Sequence, residues 1–138
     1  MSEVAEQLRL NLESLVDHEP ELIRRVYADL FEHHPQAAEL FAEHSRAARG
    51  EMVREVLAFA IDLAEGETWV EENITSLGDK HEVNGVTHEM YSWFEDSLIR
   101  VLADLSGAQW CAELEGSWRN ALAQVSGLMC SVGSSAAS

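Results

Sequence analysis

The chain has 138 residues, 46% of them hydrophobic, and its 25 acids against nine bases give a formal net charge of −16. That length suits one domain burying roughly two-thirds of its unfolded surface, while the charge repels phosphate backbones and anionic headgroups, so neither nucleic acid nor a membrane surface is an expected partner. No apolar run approaches the about 18 residues needed to cross a bilayer, and the opening Met-Ser-Glu-Val-Ala-Glu lacks the basic and apolar regions of a secretory signal, so a cytoplasmic protein is expected.

Two prolines and eight glycines punctuate the chain, and no alternating Val/Ile/Thr/Tyr-rich run with hairpin turn signals occurs, so the fold is expected to be all-α. Val4, Leu8, Leu12, Leu15 and Val16 share one side of a first helix over residues 3 to 16. Pro20 fits the first turn of a second helix, which carries Leu22, Ile23, Val26, Tyr27, Leu30 and Phe31 and stops before Pro35. A short helical turn is expected from Pro35 to Phe41. A long amphipathic helix follows, with Met52, Val53, Val56, Leu57, Ala60, Ile61 and Ala64 on its buried side, ending near Glu65-Gly66. After a loop comes a short helix bearing His81, then one from Thr87 to about Leu105. A last helix, opened by Ser106-Gly107, carries Trp110, Leu114, Trp118, Leu122, Val125 and Met129. The domain is expected to span residues 1–131, with 132–138 a flexible tail. Cys111 and Cys130 lie in what reads as one helix, roughly 28 Å apart along its axis, beyond disulfide reach, so both are expected as thiols.

The segment from Leu77 to Phe94 carries the most chemistry. Leu77 and His81 are four residues apart and stack on one side of a helix, Gly85 can end that helix, and Thr87 is placed to cap the next, whose Tyr91, Phe94, Leu98, Val101, Leu102 and Leu105 keep a helical period. A histidine at such a corner either offers its imidazole to a metal or is half-buried and hydrogen-bonded to a carbonyl; the local pattern leaves both open.

The order of helices, with Val26-Tyr27-Ala-Asp-Leu-Phe31-Glu-His-His-Pro35, then Leu40-Phe41, the Leu77–Phe94 segment and Ser117-Trp118, resembles the globin family. The likeness covers roughly residues 5 to 130 and is strongest to bacterial single-domain globins and the heme domains of flavohemoglobins. It implies a three-on-three helical sandwich of about seven helices enclosing heme b, with His81 as the proximal iron ligand, its second ring nitrogen donating to a carbonyl or neighbouring side chain. Leu77 would press on the proximal heme face, Val86 and Tyr91 would line its side and edge with Phe94 behind, and Phe41 would pack on the heme from the loop after the short third helix. Tyr27 matches a distal tyrosine whose hydroxyl donates to the gas ligand; its alternative is a hydroxyl that reaches a carbonyl inside the bundle. On the distal helix the ungapped register sets Arg49 in the distal polar position, Gly50 as the close approach, and Val53 and Leu57 over the heme. A shift by one residue would put Ala48 and Met52 there instead. Arg49 could also reach a heme propionate, and Arg46, Arg49 and Lys80 together suggest a bound anion at the pocket rim.

Departures from the family pattern bear on activity. No acid follows Glu115, so the late glutamate that couples to the proximal histidine in flavohemoglobins is missing, and the chain carries no Gly-x-Gly-x-x-Gly for a flavin or nicotinamide domain. His44 most plausibly among His33, His34 and His44, or else Met52, could swing in as a sixth ligand. The expected function is reversible binding of a diatomic gas, oxygen or nitric oxide with carbon monoxide as an analogue, by a carrier, store or sensor. The alternatives are a nitric oxide dioxygenase or peroxidase-like enzyme served by a separate reductase, and a heme-less globin-like signalling module.

Overall fold

The computed structural model describes residues 3–42, 44–67, 69–83 and 87–137; within these, the side chains at 69, 78–83, 88 and 130–137 lie outside the described set. Among the described residues there are seven α-helices and three 3-10 turns, and no strand. They are α1 (Glu3–Ser14), α2 (Glu19–His33), α3 (Ala38–Phe41), α4 (Arg46–Ala64), α5 (Trp69–Val83), α6 (His88–Ser106) and α7 (Ala112–Ala137). The 3-10 turns cover Val16–His18, Pro35–Ala37 and Gly107–Gln109.

Two layers result. Helix α4 touches α1 and α5 in one; α6 touches α2 and α7 in the other; α5 and α4 both press on α7 across the interface. This is the expected three-over-three sandwich. Its core is the apolar stripe of each helix: Leu8 of α1, Val26 and Leu30 of α2, Val53, Leu57 and Ala60 of α4, Val70 and Ile74 of α5, Leu98 and Leu102 of α6, and Trp118, Leu122 and Val125 of α7 are all buried. Ring and branched side chains brought from different layers give the large apolar burial that stabilises the fold.

Local chemistry sets the boundaries. Ser45, in extended conformation, caps α4 by accepting from the Ala48 amide at 3.1 Å. Gly66 (φ 85°) and Gly107 (φ 58°) follow the ends of α4 and α6, taking left-handed backbone that a Cβ would strain. In the expected last helix, Gly107–Gln109 forms a separate 3-10 turn and Trp110 is extended, so α7 begins only at Ala112. There the Trp110 indole donates to Glu115 Oε1 at 3.1 Å. The expected tail, 132–138, falls where side chains lie outside the described set.

The expected inward face of the first helix is kept in part: Leu8 and Leu15 are buried and Leu12 packs on the core, but Val4 and Val16 are 41% and 64% exposed and the buried stripe takes in Ala5 and Asn11. Asn11 is the reason: its Oδ1 accepts from the buried Trp118 indole at 2.9 Å, and its Nδ2 donates to Ser106 Oγ at 3.0 Å and Gln109 Oε1 at 2.6 Å. A buried amide with its hydrogen-bonding groups matched in this way pins α1 to α6 and α7.

Candidate heme cavity

Helix α5 starts at Trp69, earlier than the short helix expected around His81, because Val70, Ile74 and Leu77 already face inward, the first two fully buried. Leu77 reaches a cavity of about 630 Å³ that opens between the layers, within the range of roughly 300–1,000 Å³ typical of ligand pockets. Each wall is one face of one helix at i, i+3, i+4 spacing: Met52, Glu55 and Val56 of α4; Met90, Tyr91, Trp93, Phe94 and Glu95 of α6; Leu122, Val125, Ser126 and Met129 of α7. Leu30 and the segment from Ala37 to His44 close one end.

Of the residues singled out in the sequence, Phe41, Leu77, Tyr91 and Phe94 meet on this cavity. His81 lies one turn beyond Leu77 in α5, so helical register sets position 81 on the Leu77 face. The side chains of His81 and Lys80, and Val86 with Gly85, lie outside the described residues.

The distal residues are arranged differently from the expectation. Tyr27 is buried behind the cavity wall, its ring edge-on to Phe41 at 5.2 Å and to Phe94 at 6.0 Å. Its hydroxyl donates to the Arg49 carbonyl at 2.9 Å, which is the alternative orientation, inside the bundle. Burial pushes this phenol well above its usual range, and nearby Arg49 only partly offsets that. The Arg49 guanidinium packs over the Tyr27 and Phe31 rings at 5.6 and 5.5 Å, donates through Nη2 to the Phe41 carbonyl at 2.8 Å, and leaves its Nε buried without a partner. It ties α4 to the chain that carries Phe41.

Val53 and Leu57, expected over the heme, are instead buried in the helix interface, and Met52 takes the cavity side. That is the register shifted by one residue. Gly50 is buried where α4 crosses α2: a Cβ there would come 3.3 Å from the flexible end of Arg54 and make an ordinary 3.4 Å contact with Ile23 Cδ1.

Three acidic groups on the wall were missed in the sequence. Glu39 and Glu55 line it beside His44, which the sequence had singled out. Glu95 is the most telling, because its carboxyl is held well above the usual range, chiefly by burial and secondarily by Asp96, while a hydrogen bond to Ser126 and the Arg119 charge pull the other way. Its signal was its place one turn after Tyr91, on the same face.

The cavity suits a largely apolar group, since aromatic and aliphatic side chains form most of its wall. The fold is an all-α helical sandwich closed over this cavity. The family model described as Globin matches residues 24–129, most of the chain, and the protein belongs to the globin family. Membership implies heme binding. No curated protein sequence matches the chain. Among the described residues, no helix is long and apolar enough to cross a membrane.

Proposed function

We propose that the protein is a heme b globin, most like bacterial single-domain globins and flavohemoglobin heme domains, that binds oxygen or nitric oxide reversibly in the cytoplasm as a carrier, store or sensor. Its globin domain spans residues 1–131. The observation that carries this reading is the convergence of Phe41, Leu77, Tyr91 and Phe94 on one apolar cavity, with His81 a single turn past Leu77.

Heme b would supply ferrous iron able to take a diatomic gas. His81 would hold it through an imidazole nitrogen, a donor bond from the other ring nitrogen fixing the tautomer. Leu77, Tyr91 and Phe94 would keep water from it, with Val86 assigned to the same side by the family pattern. Phe41 packs from the opposite end, held there by the bond from Arg49 to its carbonyl. Tyr27 backs Phe41, and with Val53 and Leu57 it fixes α4 behind the wall. His44 lines the cavity, and Lys80 would meet an anionic group at its rim. Titration of the purified chain with hemin, followed by spectra in the ferric, ferrous and carbon monoxide forms, tests this: a saturable Soret band supports it and its absence overturns it in favour of a heme-less module.

Glu95 favours a second reading, a nitric oxide dioxygenase or peroxidase-like enzyme served by a separate reductase. A carboxyl that stays protonated above the usual range, on the cavity wall, can deliver a proton inside it. Stopped-flow mixing of the oxygenated protein with nitric oxide under repeated reduction separates the two: sustained turnover to nitrate ends the carrier reading.

A further inference from the structure

Three distal side chains that could meet a ligand are accounted for elsewhere. The single hydroxyl hydrogen of Tyr27 goes to the Arg49 carbonyl, Arg49 itself is drawn to the Phe41 carbonyl, and Val53 is packed in the core. Helix α4 therefore offers the cavity Met52, Glu55 and Val56. Val56 has no donor atom. Glu55 lies nearer the other end of α4 and also lines a second, smaller cavity between α4 and α5 with Phe59 and Asn73. Met52 remains. Its side chain lines the cavity, and its sulfur lies 3.9 Å from the Tyr27 oxygen. A thioether is a soft, flexible donor on an unbranched chain, suited to iron of low charge and able to leave when a stronger ligand arrives.

From this placement we propose that Met52 would be the resting sixth ligand of the heme iron, binding through a sulfur lone pair and giving way to an incoming gas. The inference rests on the heme reading above and deepens it. It has two consequences that pocket shape alone would not give. Axial methionine with histidine raises the reduction potential of the iron and favours the ferrous, gas-binding state. It also makes gas binding conditional on the fraction of molecules in which the sulfur has swung away, so apparent affinity is reduced by that fraction.

The test uses the full-length, heme-loaded protein with no added ligand, beside Met52→Leu, which nearly conserves volume and keeps the cavity wall, and His44→Ala. Expected are a six-coordinate, low-spin spectrum in the unsubstituted protein and in His44→Ala, and a high-spin spectrum with a lower midpoint potential in Met52→Leu. Carbon monoxide should then bind Met52→Leu about tenfold faster or more, because no internal ligand has to leave first. A high-spin resting protein overturns the proposal, and so does low-spin character that survives Met52→Leu or disappears in His44→Ala. A protein with a Soret band but none of the low-spin features defeats this inference alone. One with no Soret band defeats the heme reading along with it.

Discussion

Replacing Tyr27 by Phe separates two roles for one hydroxyl. The group is buried, and its 2.9 Å bond to the Arg49 carbonyl crosses from α2 to α4. That carbonyl lies within α4 and retains its helical donor when the phenol is removed, so the substitution deletes a bond without orphaning an acceptor. The cost is then close to the ordinary net value of a hydrogen bond, about 1 kcal/mol. The ring stays, and with it the packing against Phe41 and Phe94 and the stacking of the Arg49 guanidinium. For a chain of this size, about 1 kcal/mol lowers the melting temperature by roughly 3–5 °C. Circular dichroism melts and urea titrations measure it. Because the hydroxyl hydrogen is committed to α4, oxygen release measured by stopped flow should change by less than about twofold; a hydroxyl bonded to the gas would instead speed release several-fold for the same energy. An unchanged melting temperature together with several-fold faster release would refute this account of Tyr27.

Other outcomes follow from the same contacts. Asn11→Ala leaves the fully buried Trp118 indole without an acceptor and should cost about 2 kcal/mol. Arg25→Ala, which removes the partly exposed ion pair with Asp104, should cost under about 1 kcal/mol; equal losses in chemical denaturation would contradict the role given to Asn11. For Glu95 the sign is fixed by its raised pKa: the folded chain keeps a proton the unfolded chain has lost, so stability falls as pH rises from the unfolded carboxylate value, about 4.3, through the higher folded one. Glu95→Gln should therefore match the parent near pH 4 and melt increasingly above it towards pH 8; a difference that stays flat across that range would show the carboxyl is solvated. Gly50→Val, whose branches reach past the ordinary 3.4 Å contact a Cβ would make with Ile23 Cδ1, should destabilise by about 1–3 kcal/mol through overpacking, and a neutral result in the same melts would show spare room between α2 and α4.

The helices were legible because apolar residues recur at the helical period and proline and glycine mark the breaks. The site was legible where one helix face carried it, as with Leu77 four residues before His81, or Tyr91 three before Phe94. The register of α4 was not, because Met52, Val53, Val56 and Leu57 make two adjacent apolar faces, and periodicity alone does not say which one meets the cavity and which the neighbouring helices. The start of α5 was hidden by Glu71-Glu72-Asn73, which read as loop but form the exposed side of the helix. Glu95 was passed over because, next to Asp96 in an acidic chain, it looked like part of a solvated face. The inward face of α1 was read only in part, through Leu8, Leu12 and Leu15, because the polar Asn11 shares it and finds its partners 95 to 107 residues away in sequence.

Hemin titration of the chain beside its His81→Ala variant measures the central claim most directly. The account predicts a saturable Soret band for the parent with tight retention against a heme-scavenging apoprotein, and loss of stable retention in His81→Ala. Equal retention and an unchanged ferrous spectrum in the variant would contradict it.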